Sequence, residues 1–391
     1  MYNRLIKNPC NIYLLFWCAY LLQGTLYPSG GLLSQGLLVI ILVLSIRHTL
    51  LVLGDKSKPR YFTGLLILLS MHIIYGLVLF ATDGATTNGL VKRPPTYFYL
   101  KSFLISLLPI FSFYYYVQKG HLNQRVYRQW VAVFLIVAIL EFFRIQRESL
   151  LNMAFNDEGI TNNGGYVMLS LIPCFLVFRK SWQQLVCILT VIVFVMASMK
   201  RGAILTTGIV VFAYLFQHYR SLNNWERLFY FVSILIAGLI GLSIFKDTLL
   251  TNDYFNLRVQ QTLEGDSSGR NDIYRYLIDY YKYSTSFFHQ LVGLGADGTI
   301  KISPKYAHND WLEVLINQGL LGIVVMLVYW TQFVKTCRNK AYSIVSHNVL
   351  LLILILTFIR TLFSMSIGDN SVYLTSALGF ALADGYNSNN I

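Results

Sequence analysis

Residues 305–330 read KYAHNDWLEVLINQGLLGIVVMLVYW. The stretch opens on a histidine, an asparagine and two acids, then runs directly into residues apolar enough for lipid. Its second half decides the fold class. A bilayer-spanning helix needs about 20 mostly apolar residues, and runs of that kind recur along the whole chain. They lie near 12–27, 34–53, 61–81, 97–118, 128–144, 164–179, 182–199, 202–218, 228–245, 311–334, 345–365 and 370–386. Composition agrees: 55% of the 391 residues are hydrophobic and 13% charged, against about 25% charged in soluble domains. The expected fold is an all-α membrane protein of about twelve transmembrane helices. Its expected organisation is a helix bundle over 1–245, one large polar loop over 246–310 and further helices over 311–391.

The net charge of +13 raises the question of a nucleic-acid partner. With the N-terminus inside the cell, short inner loops carry Lys56, Lys58, Arg60, Lys119, Arg125, Arg128, Arg179, Lys180, Arg220, Arg227, Lys335, Arg338 and Lys340. The positive-inside rule accounts for such a bias, so no nucleic acid is expected. Lys92, Arg93, Lys101, Arg144, Arg147, Lys200, Arg201 and Arg360 break it, falling on or near the outer side. Each has a plain reading as a snorkelling or paired cation. As a group they suggest an outward-facing anion site.

No A-x-A-like site follows the first apolar segment, and Tyr27-Pro28-Ser29-Gly30 reads as an interfacial turn, so a cleavable signal peptide is not expected. The five cysteines form no CxxC pair and none falls in the large loop, which argues against disulfides or a thiolate metal site. With no HExxH or clustered His/carboxylate triad, neither a metal nor a cofactor is expected.

Long loops in compact proteins are usually functional. Within this one, Ile273, Tyr274, Leu277, Ile278 and Tyr281 have helical spacing, predicting an amphipathic helix over 271–290 against the membrane or the bundle. Ser267-Ser268-Gly269-Arg270-Asn271 precedes it. Free N–H groups at a helix start, beside an arginine, make a phosphate cradle; a simple cap with Arg270 in solvent fits equally well. The loop tyrosines suit sugar stacking or the membrane interface. Gly293-Leu294-Gly295 reads as a turn. Asn309 and Asp310 are good N-cap residues, which holds His308 at the mouth of a helix. A neutral imidazole there accepts a proton from a hydroxyl, although a capping or interfacial role is the simpler reading of a lone histidine. Gln318-Gly319 allows a bend or close packing.

"MKRGA" (199–203), "SSGRNDIY" (267–274), "GLG" (293–295) and "AHNDWLEVLINQGLLG" (307–322) stand in the order found in the O-antigen ligase and Wzy-type polymerase family, which this chain resembles in its C-terminal half. The first half is similar only in helix pattern. The resemblance implies a GT-C-like glycosyltransferase of the bacterial inner membrane that works on the periplasmic face. Its donor would be a polyprenyl-pyrophosphate-linked glycan and its acceptor a glycan or lipid A-core, in the company of other polysaccharide-assembly proteins. Arg201 and Arg270 match the arginines that hold donor phosphates, Arg258 matches more loosely, and His308 matches the general base. Asn309, Asp310 and Lys200 are expected to support them. Lys200 departs from the family pattern, standing where relatives have serine before the arginine.

Repeat-unit polymerisation, ligation to lipid A-core and transfer to protein all fit these residues. Polymerisation is preferred because no extra soluble domain is evident. A lipid-linked oligosaccharide flippase is the alternative of another class. It is disfavoured by the lack of half-to-half similarity and by polar density concentrated in one loop.

Overall fold

A backbone in lipid must satisfy its own hydrogen bonds, so apolar runs of this length form helices. The computed structural model describes residues 8–55, 58–82, 97–153, 163–198, 200–221, 225, 227, 270–303, 305–368 and 371–387. Among them there is no strand. The helices are α1 (Pro9–Leu21), α2 (Leu32–Leu53), α3 (Arg60–Thr82), α4 (Tyr97–Leu107), α5 (Pro109–Gln118), α6 (Gln124–Met153), α7 (Gly164–Leu169), α8 (Ile172–Phe175), α9 (Ser181–Ala197), α10 (Arg201–Ser221), α11 (Arg270–Asp279), α12 (Phe287–Val292), α13 (Gly298–Ile302), α14 (Asp310–Cys337), α15 (Ile344–Phe363) and α16 (Val372–Asn387). Seven helical stretches are long and apolar enough to cross a bilayer, and shorter apolar helices accompany them. The protein is an all-α membrane protein.

The expected spans are found as helices, except 228–245, which lies outside the described residues. Two of them are broken. The run 97–118 divides at Leu108, since Pro109 opens α5 and has no N–H to continue α4. The run 164–179 divides into α7 and α8, with Pro173 in the first turn of α8.

Large apolar side chains exposed at helical spacing mark the lipid face: Val39, Val43, Ile46 and Leu50 on α2, and Leu320, Val324 and Leu327 on α14. The opposite face of α14 packs along α3. There Tyr329, Trp330 and Phe333 are buried, and the Tyr61 and Tyr329 hydroxyls meet at 3.0 Å. Lipid is as apolar as leucine, so such contacts hold by packing and by satisfied polar groups rather than by escape from water. All five cysteines are free thiols.

α14 carries the main irregularity. Gly319 has φ +64°, which breaks the helix into two segments. The break frees carbonyls, and the Gly293–Gly295 turn takes them: Leu294 N–H donates to Ile316 O at 2.8 Å and Gly295 N–H to Asn317 O at 3.0 Å. Gly293 (φ +77°) lies so close that an added Cβ would stand 2.3 Å from the Asn317 carbonyl. A Cβ on Gly319 would stand 2.6 Å from the Gly293 nitrogen. The expected turn and the expected bend are therefore one packed unit.

The predicted loop helix forms as α11, then loosens into a π-turn at Tyr280–Ser284 before Ser286 caps α12. It packs on the bundle. Leu277 is fully buried with Ala307 and Ile316, while Ile273, Tyr274, Tyr281, Leu294 and Leu312 close around them. This small second core seats α11 on the first turns of α14.

Candidate active site

The site is assembled where α15 ends. The last carbonyls of a helix lack partners and carry partial negative charge, so donors and cations collect there. Arg270, the first residue of α11, donates from Nη1 to Phe363 O at 3.2 Å. Asn309 donates from Nδ2 to Leu362 O at 3.3 Å. Trp311 Nε1–H donates to Thr361 Oγ1 at 3.0 Å. One helix end thereby ties the start of α11 to the start of α14.

The start of α10 arrives at the same place. Gly202 lies against Phe363 and Tyr166; an added Cβ would stand 3.5 Å from the Phe363 Cβ and 2.2 Å from the Tyr166 hydroxyl. Ala203 is fully buried. The small residues after Arg201 thus let α10 close against α7 and α15, which explains the Gly-Ala pair physically. Arg201 and Lys200, both half-buried, stand at this junction, and Lys200 N–H donates to Ser198 Oγ at 3.3 Å.

His308 sits just before α14 in a left-handed turn (φ +53°), a conformation that costs energy for a residue with a side chain. The turn is pinned on both sides. Glu313 Oε1 accepts from Ala307 N–H at 2.5 Å. Asn309 is the N-cap, its Oδ1 accepting from Trp311 N–H at 3.0 Å and Leu312 N–H at 3.2 Å. His308 is exposed at the surface. Its pKa is lowered from the ordinary 6.5, first by desolvation and then by the positive charges of Arg270, Lys200 and Lys305. The imidazole is consequently neutral at pH 7, the form able to accept a proton.

The two acids of the opening stretch brace the site. Asp310 is buried, and its Oδ2 accepts from Ser366 N–H (2.8 Å), Ser366 Oγ (2.9 Å) and Ile367 N–H (3.2 Å), fixing the chain beyond α15. Glu313 holds Ala307 and also accepts from Asn317 Nδ2 at 3.4 Å. Of the two residues expected as caps, Asn309 takes the role, and Asp310 reaches across to the neighbouring segment.

Arg360 was grouped with the other outer cations but not singled out. It is fully buried, with its guanidinium 4.9 Å from the centroid of the Tyr166 ring, the residue against which Gly202 packs. An arginine inside a membrane helix was the available signal; its aromatic partner lies far away in sequence. Arg258 and Ser267-Ser268-Gly269 lie outside the described residues.

Lys200, Arg201, Arg270 and His308 therefore gather at one end of the bundle. Lys335, in the last turn of α14, and Arg338 and Lys340 just after it lie at the other end of that helix. A cavity of about 310 Å³ opens between α3, α4, the first half of α14 and the chain after α15. Tyr306 and Asp310 line it, whereas Lys200, Arg201, Arg270 and His308 do not.

Residues 185–327 match the family model described as O-antigen ligase, which supports the O-antigen ligase and Wzy-type family for this chain. The matched region begins in α9 and ends in α14, so it takes in all four of the gathered residues. No curated protein matches the chain.

Proposed function

We propose that the chain, with its O-antigen ligase region at 185–327, transfers a polyprenyl-pyrophosphate-linked glycan to a sugar hydroxyl on the periplasmic face of the inner membrane. The observation that carries the proposal is the convergence on the end of α15 of Arg270, which donates to Phe363 O, and of Asn309, the neighbour of His308, which donates to Leu362 O. Arg201 joins them at the start of α10, and Arg258 is assigned to the same donor-binding group from the sequence alone.

The chemistry follows from that set. Pyrophosphate leaves readily once its charge is neutralised, and guanidinium groups bind its oxygens in bidentate fashion. Their stabilisation grows as negative charge develops on the leaving group. The acceptor hydroxyl gives its proton to His308 as its oxygen attacks the anomeric carbon. The bond from that carbon to the phosphate oxygen breaks, and polyprenyl pyrophosphate departs with the electron pair. Direct displacement inverts the anomeric centre and calls for no metal. Asn309, Asp310 and Glu313 hold the turn that carries the base.

We assign polymerisation of O-antigen or capsule-type repeat units as the reaction. Ligation to lipid A-core is the second reading, favoured by the description of the matched family. Surface polysaccharide from a deletion strain separates them on a gel. A single repeat unit still attached to core supports the polymerase, and bare core with accumulated lipid-linked chains supports the ligase. Lipid-linked glycan moving across liposomes with no new glycosidic bond would overturn both in favour of a flippase.

A further inference from the structure

We infer that α12 is a lipid-embedded wedge, which enters the bilayer leaflet on the Arg270 side of the bundle and fixes the height of Arg270 above the hydrocarbon. The wedge stands without the glycosyltransferase reading; its bearing on donor phosphates rests on that reading.

The sequence of α12 gives it one apolar face. At about 100° per residue, Phe287, Phe288 and Leu291 share one side of the helix, and Ser286, His289 and Gln290 share the other. The polar side is used within the protein. Ser286 Oγ pairs with His289 Nδ1 at 2.9 Å, and Gln290 Nε2 donates to Tyr281 O at 3.2 Å. The apolar side is bare: Phe287 is 75% exposed, Phe288 66%, and Tyr283 in the preceding π-turn 81%. Aromatic rings bared together are costly in water and mark a surface that something covers.

Depth decides what covers them. α12 ends against α3, where the Tyr75 hydroxyl donates to Val292 O at 2.5 Å. Seven residues of α3 lie beyond Tyr75, about 10 Å of helix, and Leu77, Val78 and Phe80 among them are exposed to lipid. The other flank agrees. A Cβ on Gly319 would stand 2.6 Å from the Leu291 carbonyl, and Leu320, Leu321 and Val324, which follow Gly319, are exposed and apolar. The exposed face of α12 therefore continues a surface that already meets lipid on both sides.

The backbone is prepared for that solvent. A helix that ends in lipid leaves carbonyls that no water can serve. Here the Tyr281 hydroxyl donates to Gln290 O at 2.8 Å and Gly293 N–H to His289 O at 2.7 Å, besides the Tyr75 bond to Val292 O.

Arg270 stands further out. It and Asn309 bond neighbouring carbonyls of α15, Phe363 O and Leu362 O, which sets it level with the start of α14. Gly319 is nine residues deeper in that helix, about 13 Å. With α12 sunk by the ~5–10 Å usual for interfacial helices, Arg270 lies among the lipid headgroups, the level at which a lipid diphosphate is held.

The test is nitroxide accessibility in vesicles of phosphatidylethanolamine and phosphatidylglycerol. The full-length chain, each of its five cysteines replaced by alanine, is labelled singly at 77, 271, 288 or 291. Oxygen, which concentrates in lipid, and a water-soluble nickel chelate are compared as relaxing agents. Labels at 288 and 291 should favour oxygen, as the label at 77 on the lipid face of α3 does, and the label at 271 should favour nickel. Thermal unfolding like that of the unlabelled chain qualifies each sample, and 288 decides if 291 does not fold. A nickel-favouring 288 would overturn the wedge and leave its face to a protein partner. Shielding of 288 from both agents, with dipolar broadening between labels, would overturn it in favour of a second copy of the chain. An oxygen-favouring 271 would overturn the height assigned to Arg270. Phe287→Ser combined with Phe288→Ser should raise the donor concentration for half-maximal glycan transfer severalfold; an unchanged value would overturn the link to the donor. Lipid-facing labels in a chain that transfers no glycan would sink the glycosyltransferase reading and leave the wedge standing.

Discussion

Glu313 accepts a hydrogen bond from the backbone N–H of Ala307 at 2.5 Å, one residue before His308. A buried carboxyl group from the first turn of α14 therefore sets the turn in which the proposed base is held. Glu313→Ala leaves the Ala307 N–H without its partner, at a cost of about 1–3 kcal/mol. Glycan transfer should fall on the order of tenfold or more, as a loosely held base would dictate, with partial rescue by Glu313→Gln. Equal thermal stability and equal transfer in wild type and Glu313→Ala would remove Glu313 from the account.

The lowered pKa of His308 has a definite sign in a pH profile. Transfer needs the neutral ring, so activity should be full above the shifted pKa and lost as pH falls through it, on the acid side of 6.5. Desolvation is the first cause of the shift and Arg270 the second. Arg270→Gln removes one positive charge and should move the acidic limb toward higher pH. A limb that stays in place, or moves to lower pH, argues against Arg270 acting on the ring.

Gly293 and Gly319 pack against one another with positive φ, and each leaves less than 3 Å for a Cβ. Alanine at either position is strained in backbone and in space, so loss of thermal stability is expected, exceeding the ~1 kcal/mol of a compatible glycine change. Gly208, within α10, meets nothing within 4 Å. Gly208→Ala should be neutral or stabilising by up to about 1 kcal/mol. Unfolding curves of the three variants, measured together, make the comparison.

The end of α15 gathers Lys200, Arg201, Arg270 and His308 on one side of the bundle. Cysteines introduced singly at 201, 270 and 308 should all react in intact cells with a maleimide that enters the periplasm but not the cytoplasm. A cysteine at 340 should react only after permeabilisation. Reaction of 340 alone in intact cells would invert the orientation.

Much of the helix pattern was legible because a run of apolar residues is itself the physical requirement for a span. Proline breaks were legible in kind but not in consequence, since Pro109 and Pro173 divide runs that length alone would leave whole. Asn309 was readable as a cap because capping is local. The roles of Asp310 and Glu313 were not, because their partners are backbone N–H groups at Ser366, Ile367 and Ala307, and a backbone donor leaves no mark on sequence. The same holds for Gly293 with Gly319 and for Arg360 with Tyr166, pairs that become neighbours only when the bundle closes.

The most direct measurement is the initial rate of transfer against donor concentration in proteoliposomes, for wild type, Arg270→Ala and His308→Ala. Arg270→Ala should raise the donor concentration for half-maximal rate. His308→Ala should lower the maximal rate by about 10²–10⁴-fold with donor half-saturation little changed. Wild-type rates and half-saturation in both variants would contradict the assignment of donor binding and proton transfer to this end of the bundle.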